Sequence, residues 1–196
     1  MRFFRSAPKD TTPVATGFMG DTSPEQDLVL TQFKEWIAAT EIADIKKFHF
    51  DEHDLLRFCR ARKFVLADIQ LMFTNFVNWR KENNIDTIIT DFKFDELETV
   101  KQIYPHGYHG VDKQGRPVYI ERFGVLDVPK LFENTTEERM MRHYTLEYEV
   151  LMKLRFPACS EVAGKKILQG LTLFDMTGGS VTTANSHTYG LFKIAS

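Results

Sequence analysis

Residues 165–178, KKILQGLTLFDMTG, decide the fold class of this chain. Their continuous apolar character is typical of a strand buried between the helices of an α/β sheet. The flanking segments agree with this interpretation. Residues 135–155 predict a long helix with Thr135 or Thr136 as its cap and Glu137 and Glu138 in its first turn. The sequence therefore predicts an α/β lobe in this part of the chain.

A second strand is predicted before that helix. The segment GVDKQGRPVYIERFG, residues 110–124, contains a turn at 112–115 and then a β-rich run at 117–123. Residues 180–196 predict the start of a further helix. Two strands with their helices make an incomplete sheet, because a stable α/β lobe usually has more strands with both faces covered. We therefore expect the chain to be truncated within this lobe, or completed by another chain.

The first half of the chain predicts helices only. Ser23 and Pro24 are typical of a helix start, and Asp51 opens a second helix that runs through Arg62. A third helix is predicted over 66–83. The apolar stripes of the first and third helices are Leu28, Phe33, Trp36 and Ile37, and Ile69, Met72, Phe73, Phe76 and Trp79. The predicted organisation is a flexible segment at 1–24, a helical domain at 25–100 and the first part of the α/β lobe at 101–196.

The composition excludes several classes of protein. The 196 residues carry 25 basic and 27 acidic side chains, for a net charge of −2, whereas a nucleic-acid-binding domain usually has a basic field. No apolar run approaches the roughly 20 residues that a membrane-spanning helix needs. Two distant cysteines indicate free thiols in a reducing compartment. Seventeen phenylalanines suit a bulky core or the wall of an apolar cavity.

One basic cluster is present, in LLRFCRARKF at residues 55–64. At about 100° per residue, Arg57 and Arg60 fall outside the apolar arc of the helix, where side chains are solvated or ion-paired. Arg62 and Lys63 project back into that arc if the helix continues, and lie at its C-terminal turn if it ends. Two interpretations remain open. The pair stabilises the helix C-terminus, or it binds an anion such as a phosphate.

Four segments together resemble the CRAL-TRIO lipid-binding family, and within it the phosphatidylinositol/phosphatidylcholine transfer type. The similarity extends from about residue 24 to residue 196. It rests on four segments in the same order: DEHDLLRFCRARKFVLADIQLMFTNFVNWRKENNID (51–86), YPHGYHGVDKQGRPVYIERFG (104–124), EERMMRHYTLEYEVLMKLRFPACS (137–160) and LTLFDMTGGS (171–180).

The resemblance implies two head-group sites. Arg62 and Lys63 match positions that bind the inositol phosphate. Tyr108, Tyr119 and Thr172 match positions that bind the head group of a second lipid, phosphatidylcholine. Gly170 stands where the family has a serine, so the identity of the second lipid stays open, because a buried phosphate oxygen without its donor is costly.

The resemblance also implies a function. It predicts phospholipid binding and transfer between membranes, in support of phosphoinositide signalling and vesicle trafficking, with no catalysis, cofactor or metal. The predicted protein is a cytoplasmic monomer that visits Golgi or endosomal membranes transiently and binds no nucleic acid. Two alternatives are a carrier of another apolar ligand, such as a sterol or isoprenoid, and a regulatory interaction module that transfers nothing.

Other motifs give weaker signals. His106 and His109 have a metal-like spacing, but no carboxylate or cysteine stands at ligand spacing, and their neighbours suit a turn. Asp175, Ser186 and His187 are hydrolase residue types without a nucleophile elbow, so we expect Asp175 to cap the backbone that follows it. DKQGRP at 112–117 lacks the spacing of a phosphate-binding loop.

Overall fold

The computed structural model describes residues 15–40 and 50–179. The chain divides into two compact units between Asn83 and Asn84. The sequence predicts a domain boundary near residue 100 instead, and that assignment stays a prediction. Residues 85–103 are largely helical, as predicted, and Phe94, Val100 and Ile103 pack in the core of the second unit.

The first unit begins with helix α1, Pro24–Ala39. Ser23 caps it as predicted. The Ser23 side chain accepts a hydrogen bond from the Gln26 backbone N–H, and the Gln26 side chain accepts one from the Ser23 N–H. This reciprocal capping box satisfies two backbone donors that the first helical turn leaves without partners.

Helices α2, Glu52–Ala61, and α3, Leu66–Glu82, follow. Asp51 caps α2 by the same reciprocal arrangement, with Asp54 as its partner. Both helices therefore begin and end within a residue or two of the predicted positions. Helix α2 ends one residue before Arg62, which is its C-cap.

An aromatic cluster forms the core of the first unit. Phe73 is fully buried, and its ring lies 4.9 Å from that of Phe58 and 5.2 Å from that of Phe33, both in edge contacts. Such edge contacts between aromatic rings add to the gain from burial. Two residues of the predicted stripes are corrected, because Leu28 and Trp79 are 58% and 43% exposed and the buried positions are Leu30 and Val77.

The second unit combines a small sheet with helices. After a short 3₁₀ turn, Ile85–Thr87, come α4, Ile88–Asp91, and α5, Leu97–Ile103. Another 3₁₀ turn, Phe123–Val125, leads to α6, Val128–Asn134. The predicted long helix is α7, Glu137–Val150, capped by Thr136; it continues through a π-helical turn, Leu151–Arg155, into α8, Phe156–Ala163.

The sheet has three strands in the order β1, β2, β3: His106–Val111, Pro117–Glu121 and Leu171–Phe174. Strand β1 pairs antiparallel with β2, and β2 pairs parallel with β3. The Asp112–Gly115 turn joins β1 to β2 as predicted. Strand β1 itself was not predicted, because its glycines and histidines suit a turn by composition, and pairing with β2 overrides that local preference.

Strand β3 is less buried than its sequence predicts. Leu173 and Phe174 are 46% and 51% exposed, and β2 is the neighbour that pairs with β3 in the part of the chain described. The predicted helix over 180–196 lies outside the described residues. The fold class is confirmed as α/β, with an N-terminal helical unit.

The aromatic core makes Phe73 a sensitive position. Phe73→Ala removes a fully buried ring, so we expect the free energy of unfolding to fall by about 3–5 kcal/mol. Urea unfolding followed by circular dichroism measures the loss. Leu71→Ala on the same helix is the control, because Leu71 is 61% exposed and should cost less than about 0.5 kcal/mol. Equal losses in the two variants would contradict the described packing.

Candidate functional site

A cavity of about 290 Å³ lies against one face of the sheet in the second unit. Its wall is mainly aromatic and apolar, with a few polar groups, which is the usual character of a small-molecule site. Three of the predicted site residues, Tyr108, Tyr119 and Thr172, line it. The other lining residues are Tyr104, Pro117, Glu121, Phe123, Leu126, Tyr144, Glu147, Tyr148, Leu151, Gly170, Leu171 and Phe174.

The register of the sheet brings those three residues together. Tyr108 on β1 stands opposite Tyr119 on β2, and Tyr119 stands opposite Thr172 on β3. Residues opposite each other in neighbouring strands point to the same face of a sheet. The rings of Tyr108 and Tyr119 are 4.8 Å apart at an angle of 60°. Together the three residues form one row across the sheet.

The hydroxyl of Tyr119 is buried and has no hydrogen-bond partner among the described residues. Burial raises its pKa well above the ordinary range of a tyrosine, and it raises the pKa of Tyr108 to about 12. Both groups are therefore neutral hydroxyls at physiological pH. Since an unpartnered buried hydroxyl is costly, a ligand that accepts a hydrogen bond from Tyr119 would recover that cost.

Arg155 lies behind this row. Its guanidinium carbon is 4.0 Å from the centre of the Tyr108 ring, and its Nη2 is 3.4 Å from the Oε2 of Glu147, which lines the cavity. The Nη1 of Arg155 is buried without a hydrogen-bond partner in the described structure. The arginine therefore holds the Tyr108 ring by a cation–π contact and balances the charge of Glu147.

The π-helical turn makes this contact possible. In a regular α-helix, Arg155 would lie about 80° away from Glu147 around the axis, because eight residues cover about 800°. A π turn absorbs one extra residue, which leaves about 700°, within about 20° of two full turns. The two charges therefore share one face. Sequence periodicity carried no signal for this site residue, because it assumes a regular helix.

Glu121 is a second polar group that the sequence prediction missed. It accepts a hydrogen bond from the Tyr104 hydroxyl, and that hydroxyl also bonds to Tyr144. Burial raises the pKa of the Glu121 carboxyl above its ordinary value, although the bond from Tyr104 opposes the shift. A signal for this residue was present, because Glu121 follows Tyr119 by two positions on a strand and therefore faces the same side.

A buried histidine pair lies beside these groups. His106 lies on β1, not in a turn, and its nearest histidine is His143 on α7, not His109. The Nδ1 of His106 is 2.7 Å from the Tyr104 carbonyl oxygen, and the two Nε2 atoms are 3.4 Å apart. His106 therefore donates from Nδ1 and accepts at Nε2, with His143 as the donor. The ring of Phe94 stacks on His143 at 4.6 Å.

Arg62 and Lys63, in the first unit, are both exposed. Helix α2 ends at Ala61, and Lys63 adopts a left-handed conformation with φ of 50°. Of the two geometries that the sequence allows, the structure has the one at the helix end. The other geometry, in which the pair projects back into the apolar arc, does not form, because the helix ends at Ala61 and both side chains are exposed.

Arg60 is the arginine with the most enclosed surroundings in this cluster. It was predicted to be solvated or ion-paired, but its guanidinium lies 3.9 Å from the centre of the Phe18 ring and donates to the Gly17 carbonyl oxygen at 3.0 Å. Arg57 forms an ion pair with Asp54 at 3.4 Å, as predicted. The two outward positions of the helical projection therefore differ in environment.

Gly170 and Asp175 flank β3 on its two sides. A Cβ atom at Gly170 would lie 3.5 Å from the Pro117 carbonyl oxygen, which is an ordinary contact, so the site has room for a serine. Asp175 accepts a hydrogen bond from the Thr177 backbone N–H at 2.9 Å, which confirms its capping role. The hydrolase-type residues Ser186 and His187 lie outside the described residues.

Residues 101–196 match the CRAL/TRIO domain. This part of the chain belongs to the CRAL/TRIO family. The cavity and the residue row lie within the matched region, whereas the basic cluster lies before it. None of the helices in the described residues has the length and apolar character needed to cross a bilayer.

Relatives of this CRAL/TRIO chain carry names that state a function. The chain is 41% identical over 165 residues to the phosphatidylinositol/phosphatidylcholine transfer protein SFH7 of Arabidopsis thaliana, which covers 84% of this chain and 30% of that protein. It is 39% identical over 195 residues to the SEC14 cytosolic factor of Yarrowia lipolytica, and this match covers 99% of this chain and 39% of that protein. It is 38% identical over 169 residues to the SEC14 cytosolic factor of Kluyveromyces lactis, and this match covers 86% of this chain and 55% of that protein. The chain thus spans between about a third and just over half of these relatives.

The histidine pair makes stability depend on pH. Burial lowers the pKa of His143 to about 4, whereas a histidine in an unfolded chain titrates near about 6.5. Between these values the unfolded chain binds more protons, so the free energy of unfolding decreases as the pH falls from about 6.5 toward 4. Glu96, which faces His143, does not titrate in this window, because its bonds to Arg139 lower its pKa to about 2.

Urea unfolding at a series of pH values measures this dependence. His143→Asn should flatten the plot of unfolding free energy against pH between about 6.5, the pKa of an unfolded histidine, and about 4, the pKa of His143 in the folded protein. His109→Asn, at an exposed position, is the control for the loss of one histidine. An unchanged slope in the His143 variant would show that the pair does not remain neutral in the folded protein.

Proposed function

We propose that this protein binds phospholipids and transfers them between membranes, with phosphatidylinositol as one ligand and phosphatidylcholine as the second. The observation that supports this best is the row of Tyr108, Tyr119 and Thr172 on the wall of an aromatic cavity. Relatives named as phosphatidylinositol/phosphatidylcholine transfer proteins support the same ligands.

The chemistry of the row suits a choline phospholipid. Tyrosine faces attract a quaternary ammonium group, and hydroxyls donate hydrogen bonds to a phosphate. The unpartnered Tyr119 hydroxyl and the Thr172 hydroxyl supply such donors. The apolar remainder of the wall suits the acyl chains. Gly170 supplies no donor, so this site has one hydroxyl fewer than the family pattern.

Arg62 and Lys63 are the proposed ligands of the inositol phosphate. Both side chains are exposed, and no described carboxylate forms an ion pair with either. A guanidinium can bind two phosphate oxygens at once, and an ammonium adds a compact point charge. The pair is therefore suited to a phosphate monoester or diester that approaches from outside.

The remaining parts of the proposal concern context. The protein acts as a cytoplasmic monomer without catalysis, cofactor or nucleic acid. It contacts Golgi or endosomal membranes transiently and supports phosphoinositide signalling and vesicle trafficking. Its domains are a lead-in at 1–24, a helical domain at 25–100 and a lipid-binding lobe from residue 101.

The first prediction separates the two head-group sites. In the full-length protein, Arg62→Ala with Lys63→Ala should reduce phosphatidylinositol transfer at least about tenfold, because charged hydrogen bonds to phosphate are lost. Phosphatidylcholine transfer between vesicles without anionic lipid should change less than about twofold. Lys34→Ala with Arg57→Ala is the matched control, because those two cations form surface ion pairs with Glu52 and Asp54. Unchanged phosphatidylinositol transfer would refute the assignment.

The second prediction concerns the Tyr119 hydroxyl. Tyr119→Phe should leave the stability of the lipid-free chain unchanged or slightly higher, because the hydroxyl has no partner. The same variant should weaken phosphatidylcholine binding by about fivefold to tenfold, since one hydrogen bond to the ligand is lost. Urea unfolding and a vesicle-to-vesicle transfer assay measure the two effects.

Tyr104→Phe provides the contrast. It removes the donor to Glu121 and should therefore reduce stability by about 1–2 kcal/mol without a ligand. If Tyr119→Phe reduces the stability of the lipid-free chain by as much, its hydroxyl has an internal partner and the ligand role is wrong.

A further inference from the structure

Two tight turns meet in the first unit. One is formed by residues 16–21, where the Gly17 N–H donates to the Asp21 carbonyl oxygen at 2.9 Å and the Asp21 N–H donates to that of Phe18 at 2.9 Å. The other is formed by residues 62–65, between α2 and α3. Each turn is closed by its own backbone hydrogen bonds, so each is a defined loop.

Contacts join the two turns into one surface. Arg60, next to the second turn, stacks on Phe18 at 3.9 Å and donates to the Gly17 carbonyl oxygen at 3.0 Å. The Phe64 ring packs so closely that a Cβ atom on Gly17 would lie 2.7 Å from it, and Gly17 has a φ of 76°. Glycine is therefore required at this contact.

The resulting surface, which we name the turn surface, consists of Phe18, Met19, Arg62, Lys63 and Val65. Of its apolar members, Phe18 is 39% exposed, Met19 is 53% exposed and Val65 is 48% exposed. Its two cations are also exposed. The turn surface therefore combines apolar side chains at loop tips with neighbouring positive charges.

The two turns carry a net positive charge, because Arg62 and Lys63 outnumber their one carboxylate. Asp21 is the only acidic residue in the segments 16–21 and 62–65. Its carboxylate is occupied within its own turn, because it accepts hydrogen bonds from the Thr16 hydroxyl at 2.5 Å and the Thr16 N–H at 3.2 Å. An anionic partner that also accepts apolar side chains therefore complements this surface.

Backbone strain is concentrated at the same place. Lys63 and Phe64 both have left-handed conformations, with φ of 50° and 58°. Such conformations are costly for residues other than glycine, and they persist where the surrounding structure enforces them. In this turn they direct Lys63 outward while the Phe64 ring remains packed on Gly17.

We infer that the turn surface docks the protein on an anionic membrane. A bilayer with acidic lipids offers negative charge at its surface and an apolar layer just beneath, which is the combination that this surface matches. The inference rests on the membrane transfer proposed above and names the surface that makes the contact. An acidic protein would match the charges alone, and the exposed loop tips favour the bilayer.

Vesicle co-sedimentation of the full-length protein tests the inference. One set of vesicles is phosphatidylcholine alone, and the other contains about a third phosphatidylserine, which supplies the anionic surface. Both lack phosphatidylinositol, so no inositol head group is present. The wild-type protein should bind the anionic vesicles at least about tenfold more tightly than the neutral ones, given about fivefold for each cation near the surface.

Variants separate the apolar from the charged contribution. Met19→Ser with Val65→Ser should weaken binding to anionic vesicles about tenfold, because two apolar side chains no longer enter the bilayer. Arg62→Gln with Lys63→Gln should abolish most of the preference for anionic vesicles. Leu71→Ser is the matched control, an apolar residue of the same unit that is 61% exposed outside the turn surface, and it should bind as the wild type does. Thermal unfolding checks that every variant is folded.

Three outcomes would overturn the inference. These are binding by Met19→Ser with Val65→Ser at the wild-type level, an equal loss in Leu71→Ser, and a wild-type protein that does not distinguish the two vesicles. Each leaves the transfer proposal standing if the same preparation still transfers phosphatidylinositol between vesicles. A preparation that binds anionic vesicles through the turn surface but transfers no phospholipid refutes the proposed function and supports the docking surface.

Discussion

The pairing of β2 with both of its neighbours is the constraint on which the cavity depends. Side chains alternate between the two faces of a strand, so a shift of one residue would turn Tyr119 away from both Tyr108 and Thr172. The Asp112–Gly115 turn fixes the register on one side, where Asp112 also binds the Arg116 side chain. The long helical connection through α7 and α8 returns the chain to the other side. The wall of the cavity is thus assembled from segments that are more than sixty residues apart in sequence.

Most polar groups behind this wall satisfy one another. Glu121 bonds to Tyr104, Glu147 pairs with Arg155, and the two buried histidines share a hydrogen bond. Burying a polar group or a charge is costly unless a partner compensates for it. With these partners in place, Glu147 has a counter-charge and the Glu121 carboxyl has a hydrogen-bond donor. The Tyr119 hydroxyl is the exception among the described lining residues, so it is a buried donor that a ligand can satisfy.

Much of this architecture could be predicted because its signals are local. The caps at Ser23 and Asp51 define helix starts through their own side chains, and the three residues of the cavity row follow from resemblance to a known family. The orientation of Arg62 and Lys63 could not be predicted in the same way. No glycine marks the reversal at Lys63, where Lys63 and Phe64 both have a left-handed backbone and the Phe64 ring packs on Gly17, more than forty residues earlier in the sequence. The same limit applies to β1, whose strand character comes from its neighbour.

The π-helical turn implies that the winding of the helix, as well as residue identity, determines the electrostatics of the cavity. If Leu151–Arg155 were regular α-helix with the same number of residues, the extra residue would no longer be absorbed. Everything after that point would then rotate by about 100° relative to α7. Arg155 would leave the ring of Tyr108, and Glu147 would be left as an uncompensated carboxylate on the wall. A homologue with the same side chains and the same spacing but a regular α-helix at this point would consequently present a more negatively charged cavity wall.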